Sequence, residues 1–382
     1  MGKIKWFILG VIILAGAWGW KKYGYLWQSA KNWPRATQVT TEPVELTPTA
    51  ESDQELEHIK LAEGATITYF AKDVPGARSL ARGGGGVVYV GTRGEGVVYA
   101  LEDKDNDGRA ERRVVVANGL NTPNGVAYQD GDLYVAEISR VIKFANIDQR
   151  YDKKPDFEVV FDDLPSETHH GWRYIGFGPD GKLYVAIGAP CNICDPGDPF
   201  ASLTRISPEG GGLETVARGI RNSVGFDWDP NTGKLWFTDN GRDLMGDDLP
   251  PDELNRLDNV GEHFGYPYCH GQGVVDPQFG QGGCDQYKPP VVELGPHVAA
   301  LGMKFVNGKI YIPEHGSWNR SVPIGYRITT VDPQSGLYQV FAEGWLEADG
   351  TATGRPVDIL VMDDRSILVS DDKAGAVYRI SF

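Results

Sequence analysis

Two adjacent histidines, His169 and His170, followed closely by Arg173, carry the densest reactive chemistry in the sequence. A neutral imidazole near pH 7 can accept a proton, and a fixed guanidinium beside it can stabilise the negative charge that such a step creates. Further basic and amide residues recur at comparable points of the chain: Arg78, Asn124, Arg221 with Asn222, His297 and Arg355. Singly, each is equally well explained as a turn or cap residue on the surface. None of these positions holds a carboxylate, although the whole chain has 52 acidic against 37 basic residues and a net charge of -15. A cationic cluster in an acidic protein suits a small anionic ligand, whereas the surrounding surface would repel nucleic acid.

The elements that must position these residues form a repeat. Tyr174 to Gly178 alternates small and apolar residues, Pro179-Asp180-Gly181 is a turn, and Leu183 to Ile187 is an apolar run of strand length. Equivalent runs occur at Val87–Val90, Leu133–Ala136, Leu183–Ala186, Leu235–Thr238, Ile310–Pro313 and Ile367–Ser370. They lie about 45 to 75 residues apart, the spacing of a repeated multi-stranded unit. An all-β, six-bladed β-propeller follows, because radial blades bury both faces of each small sheet and leave only short edges. The widest gap, between Trp236 and Tyr311, is rich in Gly and Pro and reads as an ordered insertion rather than a seventh blade. The residues preceding the six inner strands then converge on one end of a central channel.

Residues 1–27 read as an export signal or amino-terminal membrane anchor: Lys3 and Lys5, the apolar run Trp6 to Trp20, then Lys21 and Lys22. At 1.5 Å per residue that run covers about 22 Å, short of a roughly 30 Å bilayer core. Residues 28–60, rich in Thr, Pro and acidic residues, read as a flexible linker, and 61–382 as the propeller domain. Cys191 with Cys194 and Cys269 with Cys284 are expected to form two disulfides stapling loops of an exported protein; zinc and redox roles are the alternatives. Asp103-Lys-Asp105-Asn-Asp107-Gly108 supplies the first half of a calcium loop, but its twelfth position is Val114, so a solvated turn is the competing reading. The run from Pro313 to Arg320 places His315 and Arg320 in a loop on the mouth side, where either could touch ligand.

In this order, the motifs resemble the soluble-type sugar dehydrogenases that use pyrroloquinoline quinone (PQQ), above all the sorbosone and aldose dehydrogenase branch. The markers are Leu-Pro-Ser before His-His and Gly-Pro-Asp-Gly, Gly-Ile-Arg-Asn at 219–222, Thr-Asp-Asn-Gly-Arg at 238–242, Phe-Gly-Tyr-Pro at 264–267 and His-Gly-Ser-Trp-Asn-Arg at 315–320. The resemblance implies PQQ and calcium as cofactors and a sugar oxidised at its anomeric carbon. It implies His170 as the base, with His169 where the family can carry an acidic partner, and Arg221 as the charge-stabilising residue. Arg221 and Asn222 match the family's cofactor contacts; Arg173, Asn240, His297, His315, Arg320, Arg355 and Asn124 complete the expected cofactor-binding set. Backbone oxygens of Gly241 and Arg242 would take calcium. A periplasmic or other extracytoplasmic location, released or tethered to the inner membrane by the amino-terminal segment, would let a quinone or cytochrome accept the electrons. Two other classes share such a fold: a calcium-dependent, lactonase-like hydrolase and a non-catalytic binding propeller.

Overall fold

A computed structural model describes residues 39–46 and 52–382. Six small antiparallel sheets follow one another around an axis as a six-bladed β-propeller. All six apolar runs read from the sequence are second strands: Val87–Val90, Asp132–Ala136, Leu183–Ile187, Leu235–Asp239, Lys309–Glu314 and Ile367–Asp371. Four of them are buried along their full length, including Leu183–Ile187 and Ile367–Asp371. A strand covered on both faces reads as a continuous apolar run rather than an alternation. Burying each Val or Leu there stabilises the fold by about 1.5–3 kcal/mol relative to exposure.

Four of the six inner strands have only three residues, and glycine stands beside them where neighbouring blades crowd together. A Cβ on Gly225 would lie 2.3 Å from the carbonyl oxygen of Leu301 in the next blade, so no larger residue fits. The bend into an inner strand is held by an acid at the end of the second strand of the same blade. Asp239 accepts from the backbone N–H of Arg221 (2.9 Å) and Asn222 (2.7 Å), Asp371 from that of Arg355 (2.8 Å), and Glu137 from that of Asn121 (2.5 Å). Buried backbone donors need such partners, and the acceptors appear in sequence as Thr-Asp, Ser-Asp and Ala-Glu.

The long gap in blade 4 holds its third strand, Pro251–Leu257, its fourth, Val292–Pro296, and between them an insertion with a small hairpin, Cys269–His270 against Val274–Val275. That two-stranded hairpin is the one further sheet among the described residues, and it does not make a seventh blade. Cys191–Cys194 and Cys269–Cys284 are disulfides. Blade 6 is completed by Thr66–Ala71, which pairs with Ala376–Ser381 and closes the ring.

The segment read as a flexible linker is, where described, part of the fold. Val44–Glu45 adds an edge strand to blade 1 and Lys60–Leu61 one to blade 5, while Leu46, Leu56 and Ile59 join the core. Those few apolar residues are diluted by Thr, Pro and acid, which hid their packing. The expected signal or anchor lies outside the described residues. No helix among the described residues is long and apolar enough to cross a membrane.

Candidate active site

At the mouth of the channel lies a cavity of about 430 Å³, within the range of small-molecule sites. His169, His170, Arg221, Asn222, Asn240, Gly241, His297, His315 and Arg355 all line it, as does Arg78. The loops bring together residues spread over nearly the whole domain because equivalent loops of successive blades share one end of the axis.

His170 occupies the floor with a backbone φ of 48°. Its ring Nδ1 lies 2.8 Å from the carbonyl oxygen of Ala189. A carbonyl only accepts, so Nδ1 carries the proton and Nε2 keeps the lone pair. Burial, the charge of Arg221 and the neighbouring His169 hold its pKa well below the usual imidazole value of 6.5. The ring is therefore neutral at pH 7, with a fixed tautomer and a basic nitrogen free to work. If protonation of His170 stops the reaction, activity falls only as pH drops through this depressed pKa. The acid limb of a kcat/KM profile is expected below pH 6.5, and an inflection above 7 would contradict this assignment.

Gly188 makes the room for this ring. A Cβ there would sit 2.6 Å from the Cβ of His170 and 3.0 Å from Oδ1 of Asn222. Gly188→Ala is accordingly expected to displace the imidazole and cut kcat at least about tenfold, with a smaller change in melting temperature. Unchanged kinetics would mean the ring can move aside at no cost.

Arg221 is held as a fork. Nε donates to the carbonyl oxygen of Asn192 (2.9 Å), Nη2 to Oδ1 of Asn192 (2.9 Å) and to Asp243 (3.0 Å), and Nη1 to the carbonyl oxygen of Asn240 (3.1 Å). Four of its five N–H groups are thus committed to holding it still, which leaves one on Nη1 for a ligand. Asn192 lies inside the Cys191–Cys194 disulfide loop, so that staple sets the position of the guanidinium.

Asp372 ties together two lining residues, Arg78 and His315. It accepts from Arg78 Nη1 (3.0 Å) and His315 Nε2 (2.8 Å). Burial pushes its pKa up, but the His315 hydrogen bond and the charges of Arg78 and Arg355 outweigh that and hold it well below the carboxylate range. Burial and Arg355 push the His315 pKa down to about 3, so His315 is neutral and donates through Nε2. Arg78 also donates to Asn124 (2.9 Å), yet its buried Nη2 has no hydrogen-bond partner. Buried Asn319 Oδ1, on the same cavity, is likewise unpartnered. An unmet buried donor and acceptor cost free energy, which ligand groups would recover.

Three expected cofactor-binding residues lie elsewhere. Asn124 stands behind Arg78 and donates to the carbonyl oxygen of Arg173. Arg173 is buried with its guanidinium on the carbonyl oxygens of Ile138 and Pro165. Arg320 reaches out to the carbonyl oxygen of Asp247 and to the side chain of Asp248. In each case a closer oxygen satisfies the side chain before it can reach the cavity. Arg242, expected to offer its backbone oxygen, has its side chain on Asp276 (2.6 Å). Conversely, Arg93, stacked 3.9 Å over the ring of Trp172, lines the cavity together with Asp243, Asp252, Asn319 and Trp318. The mouth is therefore not free of carboxylate. Arg93 follows the second strand Val87–Val90 instead of preceding an inner one, and Trp172 lies between His170 and Arg173, so both carry the signal of their neighbours.

The sequence-family model described as a domain of unknown function (DUF7133) matches residues 56–266, more than half of the chain. The chain belongs to the DUF7133 family. A TrAA12-like family model matches residues 208–381. An uncharacterized protein of Borreliella burgdorferi is 37% identical over 294 residues, covering 70% of this chain and 77% of that protein. The PQQ-dependent pyranose dehydrogenase of Coprinopsis cinerea is 46% identical over 48 residues, which span 12% of this DUF7133 chain and 7% of the fungal one. Among solved structures, an iodide structure of the Trichoderma reesei family AA12 carbohydrate-active enzyme superposes with a TM-score of 0.75 at 20% identity, covering 91% of this chain and 99% of that one. The holo PQQ domain of the Coprinopsis cinerea pyranose dehydrogenase gives 0.73 at 18% identity over 91% and 99%. This DUF7133 protein therefore shares its propeller with proteins of the group its motifs resemble.

Proposed function

We propose that the protein is a PQQ-dependent oxidoreductase that oxidises an aldose or related sugar, with calcium beside the cofactor, outside the cytoplasm. The observation that carries this reading is the neutral His170, its Nε2 lone pair free, lining one cationic cavity with the clamped Arg221. Two disulfides suit an oxidising compartment.

The wall chemistry fits a tricarboxylate quinone. Arg78 and Arg93 supply cationic donors for carboxylates, Arg78 with an unmet buried nitrogen, and Asn222, His297, His315 and Arg355 line the remainder. Backbone oxygens of Gly241 and Arg242, with Asn240 beside them, are the candidate calcium ligands, since a hard cation suits carbonyl oxygen. When bound, PQQ supplies an electrophilic ortho-quinone that accepts a hydride. His170 Nε2 receives the proton of the sugar hydroxyl, and its Nδ1–H stays anchored to Ala189. The remaining Nη1 hydrogen of Arg221 stabilises negative charge as it forms. Trp172 and Trp318 border the cavity. Asp243 and Asp252 are poor metal ligands for a lactonase-like alternative. Asp252 accepts from the backbone N–H of Gly241 and Ala299, while Asp243 is shared between Arg221 and Asn319.

The test adds PQQ with calcium to the purified protein and follows quinone absorbance and dye reduction with a panel of aldoses. Cofactor-dependent turnover is expected with at least one. Quinone uptake without turnover on any aldose would move the assignment to another substrate, and no uptake would remove it.

A further inference from the structure

A second group of acids lies outside the cavity, in the blade 1 connection between strands Val98–Glu102 and Arg112–Ala117. Asp103, Asp105, Asp107 and Glu111 each present a carboxylate oxygen, and these oxygens all lie within 4.8 Å of one another. Gly108, at φ 85°, makes the sharp turn between them. Asp103 is 7% exposed, with Oδ2 accepting from the Gly108 N–H (3.2 Å) while buried Oδ1 has no partner. Glu111 Oε1 is likewise buried and unpartnered.

The neighbouring bases do not neutralise this cluster. Lys104 pairs with Glu102 (2.7 Å), Arg109 with Asp53 (2.5 Å), Arg112 with Glu102 (3.3 Å) and Arg379 with Asp364. Burial and the charges of Glu111, Asp107 and Asp105 accordingly push the Asp103 pKa up.

We infer that Asp103, Asp105, Asp107 and Glu111 form a calcium site separate from the cavity, with Glu111 at the ninth loop position replacing the missing acid at the twelfth. Val114, which occupies the twelfth position, is buried inside the returning strand and could not supply a ligand. Carboxylates at loop positions one, three, five and nine form a hard-oxygen set suited to calcium. Asp103, whose carboxylate lies with the other three, keeps one buried oxygen without a donor. The ion would also fix Arg109, which reaches across to Asp53 and to the carbonyl oxygen of Tyr69 (3.2 Å) in the strand that closes the ring. The site therefore bridges blade 1 and the seam of blade 6, and it stands whether or not the cavity holds a quinone.

The test is calorimetric titration of the chelator-stripped full chain with calcium chloride in the absence of PQQ, alongside melting curves. The comparison variant is Asp105→Asn/Asp107→Asn. Both side chains are exposed, and asparagine retains the acceptors for the Asp107 N–H (3.1 Å) and Arg109 N–H (2.8 Å). Wild type is expected to bind with a Kd between about 10⁻⁶ and 10⁻³ M and to melt higher with calcium. The double variant should bind at least about tenfold more weakly and lose that rise, while keeping the metal-free melting temperature. Asp103→Asn should do the same. Identical titrations of wild type and variants, or no uptake by wild type up to about 10 mM calcium, would overturn the inference.

Discussion

Replacing His170 with asparagine is expected to lower kcat by about 10²–10⁴, the usual contribution of a positioned general base, equivalent to about 3–5 kcal/mol of barrier. Asparagine is the informative substitution because the residue has φ 48°. Asparagine tolerates that left-handed backbone better than alanine does, so the change removes proton acceptance without adding strain. Cofactor uptake, followed by quinone absorbance, should persist. His169→Asn is expected to be mild: His169 is exposed, and its ring packs edge-on to His170 at 4.1 Å between centroids. Full activity in His170→Asn together with loss in His169→Asn would place the base one residue earlier.

Arg221→Lys should cost about 10²-fold in kcat, the range found on removing one pre-positioned donor from a developing charge, and should weaken cofactor uptake as well. Lysine preserves the positive charge but not the planar fork. It cannot reproduce the Nε and Nη2 pair on Asn192 together with the Nη1 bond to Asn240. Asp243 retains a cation within reach, so the melting temperature should fall by only a few degrees. If kcat is unchanged, Arg221 serves only to brace the Cys191–Cys194 loop.

How far the sequence revealed this protein depended on which strand carried the signal. The second strands were readable because they are buried on both faces, as in Leu183–Ile187 and Ile367–Asp371. Inner strands such as Ile175–Phe177 and Phe226–Trp228 have only three residues, too few for periodicity, and were located by register from their partners. At the site, residue type and register together marked His170, Arg221, Asn222, His297, His315 and Arg355 as neighbours. They failed for Arg173 and Arg320, since a guanidinium is long enough to turn toward any nearby oxygen, and sequence does not say which oxygen is closer. Asp243 was invisible for the opposite reason. It lies past the second strand of blade 4, where an acid reads as surface charge until its partners Asn319 and Arg221 are seen beside it.

The pairing of Thr66–Ala71 with Ala376–Ser381 governs how the molecule comes into being. A ribosome must deliver almost the whole domain before the first of these segments meets its mate, so the toroid stays open throughout synthesis. Individual sheets can form early, but the cooperative fold arrives late and, with such distant contacts, slowly. Until the two segments meet, the edges of Thr66–Ala71 and Ala376–Ser381 stay unpaired, open templates for strands of another chain.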